Sequence, residues 1–294
     1  MATRRKSSAA DGRLRVALVQ LSPALGDVER NLGLHLDRIA KARDAGARLI
    51  VFPELSLTGY FLRDVVPEVA LSADSAPVRK IARAAGDAAV VLGCVEEDES
   101  HHFYNSAFLI QDGAVRFVHR KVYLPTYGMF DEQRYFAAGD RIRAFPSAFG
   151  RLGILVCEDA WHLGSGLILA ADRVKQLIVL ASSPTRGVSA AASASSWEAW
   201  REITAAYARF FGVFVLFVNR VGFEDGVNFW GGSRVVAPGG KTVAEAAVLD
   251  EELLLADLDP TLMRAERIFS PLGRDEKMDL TLRELARIRN GLGA

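Results

Sequence analysis

A thiol followed directly by two carboxylates, Cys157-Glu158-Asp159, closes the apolar run Leu152 to Val156. Such a run reads as a short buried strand, and the carboxyl ends of strands in an open α/β sheet are where ligands bind. A cysteine there is either a small buried hydrophobe or a nucleophile. Packing accounts for Cys157 but not for the two acids beside it, because burying a carboxylate is costly unless it is paired. Two further runs end in groups that a reactive thiol needs. Leu49-Ile-Val-Phe52-Pro53-Glu54 ends in a carboxylate; Val115-Arg-Phe-Val-His119-Arg120-Lys121 alternates like a half-buried strand and ends in a basic cluster. Parallel strands of one sheet would bring the three ends to one edge. The thiolate is the reactive form, so Cys157 needs a base or a cation close by. Glu54 is the favoured base. The competing readings are a carboxylate in the turn after Pro53 for Glu54, and an exposed strand-end lysine for Lys121. His119 reads equally well as structural, and His162, five residues past the thiol, points aside or caps the next element. No His/Cys cluster has zinc-ligand spacing, and no metal or cofactor is expected.

The elements that must position these residues follow from periodicity and punctuation. Leu14 to Gln20 is a first strand. Asp27 opens a helix with Val28, Leu32, Leu36 and Ile39 on one face, closed by Gly46. A second helix spans Pro77 to Gly86, and Ala88 to Cys94 is the next strand. Phe103 to Ile110 and Val115 to His119 flank an Asp112-Gly113 hairpin signal. After the Cys157 strand come a helix near Gly166 to Val174, a strand over Leu177 to Ala181, and a helix over Trp197 to Phe211. Val213 to Asn219, Ser233 to Ala237 and Leu253 to Leu258 are further strands. The Ala/Ser-rich piece Gly187 to Ser196 lacks periodicity and reads as a loop. Strands alternating with helices, with hairpins interspersed and many strands apolar throughout, call for two mixed sheets with helices outside.

Composition narrows the classes. Of 294 residues 50% are hydrophobic and 24% charged, which suits a protein with a sizeable core. Lysine plus arginine and aspartate plus glutamate each number 36, so no global field favours nucleic acid or an anionic membrane. The longest apolar stretches, such as Val213 to Val218, are too short to span a bilayer. The basic start Met1 to Gly12 has no following apolar segment; it is expected to be a disordered tail preceding one domain over 13–294. Two cysteines, Cys94 and Cys157, build no disulfide framework and suit a cytoplasmic setting.

Leu49 to Tyr60, His119-Arg-Lys121-Val-Tyr-Leu-Pro-Thr-Tyr127, Leu155-Val-Cys157-Glu-Asp159 and Gly226 to Gly239 together resemble the nitrilase superfamily of carbon–nitrogen hydrolases, in the family's order. The resemblance implies a four-layer αββα sandwich, usually dimerised through helices flanking the cysteine strand. It implies that Glu54 takes the Cys157 proton, and that the thiolate attacks an amide or nitrile carbon. Lys121 and a backbone N–H near Glu158 would stabilise the oxyanion. A further family carboxylate after the lysine matches Glu132 best, with Asp131 adjacent.

Within the superfamily, Leu124 to Glu132 and Cys157-Glu158-Asp159-x-Trp161 look most like the glutaminase domain of glutamine-dependent NAD synthetases. That likeness makes Tyr127, Glu158 and Ser183 candidate substrate contacts. A substrate ammonium suits Glu158 and a substrate carboxylate suits Arg186; a surface role suits Arg186 equally, and Asp159 reads as structural. No Ser-Gly-Gly-x-Asp-Ser phosphate loop of the synthetase kind is present. The expectation is therefore an amidase releasing ammonia from a small carboxamide, glutamine-like compounds included. Three alternatives stay open: a nitrilase, a stand-alone glutaminase subunit feeding a separate synthetase, and a non-catalytic binding partner.

Overall fold

Strands that are apolar on both faces need cover on both faces, and the computed structural model supplies it in four layers. The structure describes residues 12–185 and 190–291. The expected tail up to residue 11, and Arg186, lie outside the described residues.

One six-stranded sheet has the order β14 (Glu252–Leu258), β1 (Leu14–Gln20), β2 (Leu49–Val51), β3 (Ala89–Glu97), β4 (Phe103–Gln111), β5 (Ala114–Arg120). The other runs β13 (Thr242–Glu245), β12 (Arg234–Val236), β9 (Phe214–Asn219), β8 (Gln176–Ala181), β7 (Gly150–Val156), β6 (Ala144–Ser147). Both mix parallel and antiparallel pairs. A two-stranded ribbon, β10 (Val221–Glu224) with β11 (Val227–Trp230), stands apart. The helices are α1 (Val28–Asp44), α2 (Val66–Val69), α3 (Ala76–Ala85), α4 (Leu163–Ala171), α5 (Ala190–Phe211), α6 (Pro260–Phe269), α7 (Leu272–Asp275) and α8 (Met278–Gly291).

Alternation along each strand builds the layers. In β1, Val16 and Leu18 join Ile154, Val156, Ile178 and Leu216 in the core between the sheets. Their neighbours Ala17 and Val19 face the other way and pack under Leu32, Ile39, Val78 and Ile81 of α1 and α3. On the second sheet, Leu155, Val179 and Phe217 face Leu169, Trp200 and Tyr207 of α4 and α5. Because side chains switch face every residue, a one-residue slip would exchange these cores, so both registers are strongly specified. The Asp112-Gly113 hairpin forms as read, with φ of 51° and 74° at its two residues, and Asp27 caps α1 by accepting from Arg30 N–H.

Two expectations are corrected. The piece Gly187 to Ser196 is helical from Ala190, so α5 starts seven residues before Trp197. Alanine is the best helix former, so the alanines of this run supply helix propensity with no apolar rhythm to betray it. The three chemically interesting strand ends also do not share one sheet. β2 and β5 belong to the first sheet and β7 to the second, so their ends meet across the sandwich.

Candidate active site

β2 and β5 run in the same direction, since β3 pairs parallel with β2 and two antiparallel pairings carry on to β5. Glu54 and Lys121 therefore leave the first sheet at the same edge. Lys121 Nζ donates to Glu54 Oε1 at 2.8 Å and to Glu132 Oε1 at 2.7 Å, with all three side chains buried. Glu132 reaches the lysine from a short 3-10 turn, Glu132–Arg134. The turn after β2 is held on several sides. Asn105 Nδ2 donates to Glu54 Oε1 at 2.8 Å, and Ser182 N–H donates to Glu54 Oε2 at 2.7 Å. Gly93 of β3 lies so close that a Cβ there would sit 2.3 Å from Leu55 N and 2.6 Å from Pro53 O. Gly139 backs the lysine in the same manner, its missing Cβ facing the Arg120 carbonyl.

Cys157 ends β7 and starts the 3-10 turn Cys157–Trp161 with φ of 46°, a left-handed conformation that residues with a Cβ seldom adopt. That sharp turn exposes the thiol to a cavity of about 250 Å³, lined also by Tyr60, Phe130, Glu132, Glu158, Trp161 and Trp200. Glu54, Lys121 and Glu132 all act electrostatically on the thiol. Burial, reinforced by Glu54 and Glu132, pushes the thiol well above its usual range against the pull of Lys121. This environment favours the protonated thiol at neutral pH. Burial alone would favour neutral Lys121, but Glu132 and Glu54 outweigh it and hold the ammonium charged. Burial also pushes the Glu132 carboxyl up to about 7, opposed by Lys121. Its Oε1 accepts from Tyr60 Oη at 2.5 Å, while Oε2 has no hydrogen-bond partner among the described residues.

Around the mouth, Tyr127 Oη donates to Glu158 Oε2 at 2.9 Å, with Oε1 at 3.1 Å. Ser183 lines the cavity; its Oγ accepts from Trp200 Nε1 at 2.9 Å, and its N–H donates to Asn219 Oδ1 at 2.8 Å. The structure thus brings Glu54, Lys121, Glu132 and Cys157 together, with Glu158, Tyr127 and Ser183 nearby. His119 is buried against Asp159, and His162 stacks on Tyr123 with ring centroids 3.5 Å apart. Sequence reading missed Tyr60, Asn105, Ser182, Gly93 and Gly139. Tyr60 lies inside the quoted Glu54 motif and could have been flagged there; the others carry no local signal. Among the described residues, no group of three or more His, Cys, Asp or Glu could hold a metal ion.

Known proteins resemble this chain in sequence and in fold. The glutamine-dependent NAD(+) synthetase of Thermotoga maritima is 32% identical over 84% of this chain, but only 42% of its own length is matched. The chain spans less than half the length of the curated relatives it matches. Among solved structures, a carbon-nitrogen hydrolase from Helicobacter pylori G27 superposes with a TM-score of 0.80 at 24% identity, over 91% of this chain and 96% of that one. This likeness establishes the fold of two mixed sheets flanked by helices. An amidase from Nesterenkonia sp. AN1, in a form carrying the acetamide moiety of fluoroacetamide on its active-site cysteine, matches at 25% identity. Its TM-score is 0.76, covering 92% of this chain and 96% of that one. The carbon-nitrogen hydrolase family model matches residues 15–267. This chain therefore belongs to the carbon–nitrogen hydrolase family, within the nitrilase superfamily.

Proposed function

We propose that the chain is a thiol-dependent amidase that converts a small carboxamide to a carboxylic acid and ammonia. The observation that carries this reading is the buried Lys121 ammonium held between Glu54 and Glu132, directly behind a cavity that exposes Cys157. Glu54 accepts the thiol proton as sulfur bonds to the amide carbon. The carbonyl oxygen gains the charge, which Lys121 and a backbone N–H after Cys157 stabilise. As the C–N bond breaks, Glu54 returns the proton to the departing ammonia. Water, deprotonated by the same carboxylate, then opens the thioester and frees the acid. A protonated resting thiol makes the base indispensable. A cavity of about 250 Å³, just under the usual range of ligand pockets, suits a small amide.

The test is an ammonia-release screen over primary amides, nitriles and N-carbamoyl acids, with Cys157→Ala as the blank. Ammonia from a primary amide is expected of the natural chain, and none from the variant, which should keep its fold. Ammonia release by folded Cys157→Ala at the natural rate would sink the mechanism. Glutamine belongs in the screen for a specific reason: Glu158 places a carboxylate at the mouth, where an amino-acid ammonium would sit, and the relatives are named as glutamine-dependent. The reading also includes a homodimer. Its support is the exposed apolar side chains Leu163 and Ile168 of α4 and Phe210 of α5, beside the cysteine strand.

A further inference from the structure

The two sheets meet through apolar side chains, and such contacts are non-directional. They hold the layers together without fixing how the end of β5 sits against the end of β7. Lys121 and Cys157 stand on those ends, so their alignment needs a directional tie. Asp159 makes one from a fully buried carboxylate. Its Oδ1 accepts from Val122 N–H at 2.9 Å and Tyr123 N–H at 3.0 Å, the two residues after the lysine. Its Oδ2 accepts from Val156 N–H at 3.0 Å, just before the thiol, and from His119 Nε2–H at 2.8 Å, two residues before the lysine. One side chain therefore ties the segment on both sides of Lys121 to the residue that precedes Cys157. The bond to Val156 also closes the turn in which Cys157 adopts its positive φ.

We propose that Asp159 is a positioning residue of the hydrolytic site: without touching substrate, it sets Lys121 against Cys157 across the two sheets. The proposal rests on reading those two residues as catalytic partners. A purely structural Asp159 would change how much protein folds and leave each folded site as active as before.

Asp159→Asn replaces one acceptor oxygen with an NH₂ group, which in either orientation faces a backbone N–H from which it cannot accept. Two readouts are taken per folded molecule. One is kcat and KM on an amide that the natural chain hydrolyses. The other is the pH profile of iodoacetamide alkylation at Cys157, followed by mass spectrometry, which needs no substrate. We expect kcat to fall about 100-fold with KM changed less than about 3-fold, the scale of a misplacement near 1 Å. The alkylation profile should move to higher pH as the lysine cation loses its place beside the thiol. His119→Leu removes the donor to Oδ2, one of the four contacts, and should lower kcat by roughly 10-fold with the same split; it carries both measurements if Asp159→Asn does not fold. Natural kcat together with a natural alkylation profile in either folded variant would overturn the proposal. Should no amide be turned over by the natural chain, the hydrolytic reading fails by itself, and the alkylation profile still decides whether Asp159 aligns the pair.

Discussion

Glu132 carries an instructive electrostatic conflict. It pairs with Lys121, yet burial wins and its carboxyl is pushed up to about 7. Between the usual carboxylate range near 4.5 and that value, the folded chain holds a proton that the unfolded chain has released. The contribution of this group to stability is therefore full below about 4.5 and is lost as pH rises through about 7. Glu132→Gln removes the titration. Urea unfolding midpoints of the two proteins should agree near pH 5, with the natural chain falling below the variant by pH 8. A natural chain that gains on the variant over that interval would contradict the sign. Residues such as this were legible only where they end a strand or sit in a recognisable motif. Glu54, Lys121 and Cys157 stand where apolar runs stop; Asn105 and Ser182 reach Glu54 across sequence separations of 51 and 128, and no local pattern announces that.

At the scale of elements, the short β2 strand and its turn are shaped by their neighbour β3. Gly93 permits the Pro53–Leu55 backbone to lie against the sheet, and any Cβ would push it away. Gly93→Ala should destabilise the fold by about 1–3 kcal/mol, the usual cost of overpacking, and lower turnover by displacing Glu54. Unfolding curves and kcat together check this; unchanged kcat would show that the turn tolerates the shift. The strands themselves were readable because burial on both faces makes them apolar throughout. The first turns of α5 were not, since their alanines give propensity without periodicity. Which strands share a sheet was also hidden, because an apolar strand fits either layer equally well and only pairing decides.

For the whole molecule, three stacked apolar layers account for most of the buried side chains, and the outer helices remain partly bare. α8 buries none of its residues, and Leu282, Leu285 and Ile288 are exposed along it. An isolated helix of 14 residues is marginal in water, so a partner surface would stabilise it. Sedimentation velocity at micromolar concentration should give a particle of twice the 32.0 kDa chain mass, and Phe210→Arg should shift it toward the monomer. A natural chain that sediments as a monomer would remove the dimer from the proposal. Among the described residues, no helix is long and apolar enough to cross a membrane.

Glu132 and Glu158 line the cavity, and Glu54 lies beside Lys121 behind it. Hydrolysis of a neutral amide leaves an anionic acid and a base that becomes ammonium in water. The acid carries the same sign as the surrounding carboxylates and is repelled, whereas ammonium is attracted. Product inhibition should thus come from ammonium rather than from the acid, and the reverse reaction is disfavoured by the charge of the very product it would need to rebind.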